Sequence, residues 1–241
     1  MRTENMTDSG EVDHPLAVPP APAAASAIFG NQLDGAIAFA QLLAEHGVAR
    51  GLIGPREVDR LWDRHLLNSA VIAELLPRNC RVVDVGSGAG LPGIPLALAR
   101  PDLELTLLEP MARRIAWLNE VVAALNLNVT VLRGRAEEAD VRERLSGSDV
   151  VTARAVAPLE RLASWCLPLL RPGGLLVALK GASAAEELAR DAPALTRAGG
   201  VRQQVVTCGS EVLDQPTTVV LVERGESTER RDGRRRKRKD R

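Results

Sequence analysis

Gly86, Gly88 and Gly90 stand at alternate positions directly after a β-branched run, Arg81 to Val85, whose penultimate residue is the acid Asp84. A strand that breaks into such a loop and re-forms as a helix, here opened by Pro92, brings bare backbone against a ligand and aims N–H groups at it. Residues 81–95, RVVDVGSGAGLPGIP, therefore predict a nucleotide-cofactor site. A second acid, Glu109, closes the next apolar run, 104–109. A carboxylate at that strand end can accept hydrogen bonds from two ribose hydroxyls, which supports an adenosine ligand; the plainer alternative is an acid facing solvent.

The loop permits two registers. Gly88-Ala89-Gly90-Leu91-Pro92-Gly93 fits the G-x-G-x-x-G dinucleotide fingerprint. That fingerprint wants its first glycine directly after the strand, and here Gly86 holds that place. The register Asp84-x-Gly86-x-Gly88-x-Gly90 instead resembles the first motif of class I methyltransferases that use S-adenosylmethionine. That cofactor has no pyrophosphate, and its ammonium and sulfonium favour a nearby carboxylate such as Asp84. Glu109 serves either reading. A small NAD-dependent oxidoreductase would normally need a Tyr/Lys pair or a catalytic His, and the chain contains no Tyr.

The elements that must position these residues alternate. Strands are expected at 81–85, 104–109, 129–133, 148–153 and 174–180, with helices near 92–100, 111–126, 136–145, 158–169 and 184–198. Two late strands, 201–208 and 217–223, have no helix between them, so one should run antiparallel. Helical apolar spacing also marks 31–46 and 55–75. The pattern predicts an α/β fold with a mainly parallel sheet covered on both faces. The expected division is a disordered Pro/Ala-rich leader (1–27), an N-terminal helical segment (28–78), a cofactor-binding domain (79–224) and a disordered basic tail (225–241).

Composition narrows the classes further. The 241 residues are 45% hydrophobic and 26% charged, as expected of a globular protein. Aromatics are 2%, too few for a base-stacking platform. The net charge of zero conceals a dipole: residues 230–241 hold nine Lys/Arg and two Asp, leaving 22 basic and 29 acidic residues elsewhere. Such a tail is either solvated or an electrostatic RNA contact. Cys80, Cys166 and Cys208 lie far apart and read as buried thiols, with no metal site. No membrane span or signal peptide is evident, so a cytoplasmic chain is expected.

The sequence becomes more specific where several segments occur together. DVGSGAGLPGIPLAL (84–98), RHLLNS (64–69), RAEE (135–138), TARAVAPL (152–159) and ALKG (178–181) appear in order. Over roughly residues 28–223 the chain resembles the small-subunit ribosomal RNA methyltransferase G family, also called glucose-inhibited division protein B. The resemblance implies a class I, Rossmann-like methyltransferase fold with a seven-stranded sheet and a small N-terminal helical segment. It implies transfer of methyl from S-adenosylmethionine to N7 of a guanine in the decoding-region loop of 16S ribosomal RNA. The implied partner is the small ribosomal subunit or its assembly intermediate, the implied state a cytoplasmic monomer, and loss is expected to give low-level streptomycin resistance. By position it implies cofactor contacts at Gly86, Leu91, Glu109, Ala136, Glu137 and Arg154, beside Asp84, Gly88 and Gly90 of the loop. Asn68 stands where the family usually has Asp, and RGLIGPRE (50–57) replaces its usual Asn-Leu-Thr form.

Guanine N7 is a lone-pair nucleophile without a proton, so displacement at a sulfonium methyl needs alignment and no general base. The chain accordingly lacks an obvious acid/base pair, and it lacks the Asn/Asp-Pro-Pro-Tyr tetrapeptide of amino-group methylation. Arg154 and Lys180, at strand C-termini, are expected nearest the reaction, holding RNA phosphate or orienting cofactor. Arg64, His65, Arg113, Arg114 and Lys180 are candidate RNA contacts. The remaining alternative is a non-catalytic RNA-binding module that relies on the tail.

Overall fold

The computed structural model describes residues 18–154 and 156–226. The start of the expected leader and the whole basic run 230–241 lie outside the described residues.

Seven strands form one sheet: β1 (Arg81–Val85), β2 (Glu104–Glu109), β3 (Val129–Arg133), β4 (Ser148–Arg154), β5 (Leu170–Leu179), β6 (Gly200–Cys208) and β7 (Thr217–Arg224). Their order is β3-β2-β1-β4-β5-β7-β6. The first five strands are parallel, and β7 runs antiparallel to both β5 and β6. The expected mainly parallel sheet with an antiparallel late strand is thus present. Only one strand boundary differs by more than a single residue: β5 starts at Leu170 instead of 174. Arg171-Pro172-Gly173-Gly174 reads as a turn, but the pairing with β4 slips between Ser148 and Val150 and takes these residues up as a bulge.

The chain leaves β1 toward β2 and β3, then returns to place β4 on the other side of β1. This reversal opens a crevice at the C-terminal ends of β1 and β4, the usual ligand position in open α/β sheets. Asp84 pairs with Thr152 in that register. The glycine loop and Arg154, each two residues further on, therefore emerge side by side.

Eight α-helices are present among the described residues: α1 (Ala23–Phe29), α2 (Leu33–Leu42), α3 (Asn68–Ala70), α4 (Gly93–Ala99), α5 (Ala112–Ala124), α6 (Ala139–Leu145), α7 (Leu159–Cys166) and α8 (Ala184–Arg197). Period-two alternation divides each inner strand between two cores. Val82, Leu107 and Val150 face one core with α2, α4 and α5, through Phe39, Leu98 and Trp117. Val83, Leu108 and Val151 face the other with α6, α7 and α8, through Val141, Leu162 and Leu195.

The residues before β1 belong to the first core. Phe39, Leu43, Leu61, Leu66 and Ile72 are fully buried there. The region 55–75 is a succession of tight and wide helical turns, Pro55–Arg60, Leu61–Leu67, α3 and Val71–Leu75, and not one helix. Arg100 holds its end, donating to the carbonyls of Ala73, Leu76 and Pro77. The expectation of a disordered leader through residue 27 needs correction. Pro19, Pro20 and Pro22 precede α1 without interrupting it, Ala25 and Phe29 are buried, and Trp62 Nε1 donates to the Pro19 carbonyl at 2.9 Å. Cys80, Cys166 and Cys208 are buried free thiols, as expected.

Phe39 is fully buried beneath the glycine loop, its ring 3.4 Å from where a Cβ on Gly90 would stand. Phe39→Ala should cost about 3–5 kcal/mol in denaturant-induced unfolding. A loss below about 1 kcal/mol would show that the N-terminal helices do not support the loop.

Candidate functional site

The crevice is a cleft of about 660 Å³, walled by the β1 loop, the ends of β2 and β4, the turn after β3 and the helical residues before β1. The loop itself is shaped by backbone. Gly86 and Gly88 have φ of +72° and +57°, a region that favours glycine. Gly86 N–H donates to the Leu108 carbonyl at 2.8 Å, and Gly90 and Leu91 N–H to that of Ser87 at 2.7 and 3.0 Å. From α5, Trp117 Nε1 donates to the Ala89 carbonyl at 3.0 Å. Nothing would lie within 3.7 Å of a Cβ at Gly88, so its cleft side is open.

Asp84 works from below. Its carboxylate is fully buried, accepting from Thr152 Oγ1 at 3.0 Å and from Gly93 N–H at 3.2 Å. Burial pushes the carboxyl up to about 6, although the Ser87, Thr152 and Gly93 hydrogen bonds and the Arg154 charge oppose the shift. Asp84 is not part of the cleft wall, so the direct contact with a ligand ammonium expected of it is replaced by a tie joining β1, β4 and α4. Gly90 likewise is buried and does not line the cleft, and a Cβ there would meet Ile94 and Phe39 on the core side of the loop.

Glu109 does line the cleft. One carboxylate oxygen accepts from Gly88 N–H and the other from Met111 N–H, both at 3.0 Å. Each oxygen keeps a further lone pair, enough for a pair of ribose hydroxyls. Arg114 Nη1 stands 3.7 Å from this carboxylate, while its Nε is buried without a partner among the described residues. An open backbone cradle, a carboxylate with spare acceptor capacity and an orphaned donor fit an adenosine ligand. Gly86, Leu91, Ala136 and Glu137 also face the cleft, Ala136 buried and Glu137 exposed.

Arg154 lines the opposite wall and is tied to the helical residues before β1. Its Nη1 donates to Ser69 Oγ at 3.0 Å, and its Nη2 lies 2.8 Å from His65 Nδ1. His65 Nε2 in turn lies 2.7 Å from Glu57 Oε2. Burial, followed by the Arg154 charge, holds the imidazole pKa below its ordinary value, against the pull of Glu57.

The other expected cations are placed differently. Lys180 Nζ donates to the Ala157 carbonyl at 3.2 Å and to Glu187 at 2.9 Å, and Lys180 does not line the cleft. Glu187 also accepts from Leu159 N–H at 2.7 Å, so Lys180 holds the turn between β4 and α7, and the catalytic and RNA roles expected of it are corrected. Arg113 is exposed and outside the cleft wall, and exposed Arg64 pairs with Glu57 at 3.1 Å. Sequence reasoning missed Glu57, Ser69, Met111, Val156 and Trp165. No spacing rule links Glu57 or Ser69 to Arg154; only the packing of the N-terminal turns does.

The sequence matches the family model "rRNA small subunit methyltransferase G" over residues 32–217. It is 56% identical over 211 residues to "Ribosomal RNA small subunit methyltransferase G" of Corynebacterium efficiens, covering 87% of this chain and 90% of that one. The protein of the same name from Salinispora tropica is 59% identical over 207 residues, covering 83% and 85%. Among solved structures, the mitomycin 7-O-methyltransferase MmcR is similar with a TM-score of 0.55 at 20% identity, covering 78% of this chain and 60% of that one. Aeropyrum pernix fibrillarin, in complex with natively bound S-adenosyl-L-methionine, is similar with a TM-score of 0.50 at 21% identity, covering 66% and 74%. The structural likenesses concern the fold.

Because folding raises the Asp84 pKa from 3.8 to about 6, this carboxyl adds stability below pH 4 that is lost as pH rises through 6. The difference in unfolding free energy between the wild type and Asp84→Asn should change by roughly 3 kcal/mol across that window. Parallel pH profiles for the two proteins would contradict the buried tie.

Proposed function

From the premise that the chain belongs to the ribosomal RNA small subunit methyltransferase G family, we propose that it methylates N7 of a guanine in the decoding-region loop of 16S ribosomal RNA. Its methyl donor is S-adenosylmethionine. The donor site rests on the juxtaposition of the open Gly88 cradle, the Glu109 carboxylate and Arg154 around one cleft, and the RNA target on the family match.

When bound, S-adenosylmethionine supplies an electrophilic methyl on a sulfonium centre. Glu109 would take the ribose hydroxyls, the Ala136–Glu137 turn the adenine edge, and Gly86, Gly88 and Leu91 the aminoacyl side. Arg154, held by Ser69 and His65, would orient the donor from the far wall. This chain need remove no proton, because guanine N7 carries none; its task is to hold the two reactants in line and exclude water. His65 suits that task, since its ring is engaged on both sides by Arg154 and Glu57 and is not free to act as a base. The methylated guanine gains positive charge, so exposed Arg113 and Arg64 serve better as phosphate contacts than as neighbours of the base.

The same reading makes the small ribosomal subunit, or an intermediate in its assembly, the partner, and a cytoplasmic monomer the working form. Among the described residues no helix is long and apolar enough to cross a membrane. Loss of the modification should give low-level streptomycin resistance.

Mass spectrometry of 16S ribosomal RNA nucleosides tests the proposal. Cells lacking the protein should lose one 7-methylguanosine and regain it when the wild-type chain is supplied. Unchanged 7-methylguanosine, or loss of a different methylated nucleoside, would overturn the guanine-N7 assignment. In the purified protein, Gly88→Val should weaken S-adenosylmethionine binding at least about tenfold by calorimetry. A β-branched residue at φ +57° costs about 1–2 kcal/mol and stands over the cleft. Wild-type affinity would remove the loop from the site.

A further inference from the structure

We propose that Glu57 and His65 are positioning residues of this site, holding the Arg154 guanidinium at the cleft wall through a neutral imidazole of fixed tautomer. The inference rests on the donor-orienting role given to Arg154 above. A guanidinium can only donate hydrogen bonds. Arg154 Nη2 at 2.8 Å from His65 Nδ1 therefore requires that Nδ1 be unprotonated. The ring proton must then reside on Nε2, where Glu57 Oε2 receives it at 2.7 Å. Ser69 Oγ and the His65 carbonyl accept from Nη1 at 3.0 and 3.4 Å, so three acceptors on the helical turns before β1 fix the position of one guanidinium on β4.

Protonation of His65 would set an N–H against an N–H and a second positive charge beside Arg154 in a buried place. The charged groups around the ring are Arg154 from the end of β4, Glu57 from the turn Pro55–Arg60 and Arg64 from its own turn. Arg64 is engaged by the other Glu57 oxygen at 3.1 Å, so Glu57 links an exposed cation to a buried ring. Packing alone would be served by any apolar side chain at residue 65; what His65 adds is a directional acceptor that acid can remove. The N-terminal turns are on this account a working part of the site.

Calorimetric affinity for S-adenosylhomocysteine, measured on the full chain from pH 5 to 7.5 with melting points taken in parallel, tests the proposal. Wild-type affinity should fall on acidification, with a midpoint below the ordinary histidine value of 6.5. Glu57→Ala, at a partly exposed position, should weaken binding roughly tenfold at pH 7.5. It should also move the acid limb to lower pH, because the upward pull of Glu57 on the ring is gone. His65→Asn keeps an acceptor near the Nδ1 position but cannot take up a proton, so it should bind nearly as the wild type at pH 7.5 and lose the acid limb. Rescue by asparagine where His65→Leu fails would separate acceptor chemistry from packing. An acid limb that persists in His65→Asn would assign the titration elsewhere, Asp84 being the buried carboxyl in that range, and would overturn the proposal. Unchanged affinity and unchanged limb in Glu57→Ala would overturn it too. Arg154→Ala is the separate control: wild-type affinity there would sink the donor-orienting role itself, whatever the His65 variants do.

Discussion

A carboxylate held entirely out of water decides the geometry of this site. Asp84 lies in the seam where β1, β4 and the start of α4 meet, and its two oxygens are occupied by Thr152 Oγ1 and Gly93 N–H. Removing a charge from water is costly unless hydrogen bonds replace the lost solvation, and here the bonds come from the elements that must meet beneath the loop. Gly93 has to be glycine for this contact, since a Cβ would overlap Leu107 and Asp84. The glycine loop above is thereby fixed from below, with Trp117 and Phe39 supporting it from the helical side. The cleft is then a consequence of a loop with no side chains of its own at Gly86 and Gly88.

The two walls are built by different means. On the β2 side, Glu109 is fixed by backbone N–H groups of Gly88 and Met111, so its orientation follows from strand register and loop path. On the β4 side, Arg154 depends on Ser69 and His65, 85 and 89 positions away in sequence, which reach it only because the N-terminal turns pack into the same core as α4 and α5. The first arrangement needs only strand register and the loop path. The second is tied to the particular N-terminal turns of this chain.

That difference explains what could be read in advance. The strands β1, β2 and β3 have the boundaries that their apolar runs suggest, because a parallel strand covered on both faces is a short, nearly continuous apolar segment. Gly86, Gly88 and Glu109 could be placed at the cleft because each closely follows or closes a strand whose apolar run is plain in the sequence. The buried role of Asp84 was not, since a strand-end acid looks the same whether it faces a ligand or a seam. Lys180 misled for a similar reason: position at a strand end says nothing of Glu187, which captures it. Glu57 and Ser69 left no sequence signal, because their connection to Arg154 is purely tertiary. α1 was hidden by the prolines just before it, which start that helix and do not break it.

A loop fixed from beneath should receive its ligand without rearranging, which a crystal structure of the chain with S-adenosylhomocysteine would reveal directly. The account predicts ribose hydroxyls on Glu109, the aminoacyl chain along Gly86 and Gly88, and Asp84 still bound to Thr152 and Gly93. A ligand seated elsewhere, or an Asp84 carboxylate turned out to meet the ammonium, would contradict it.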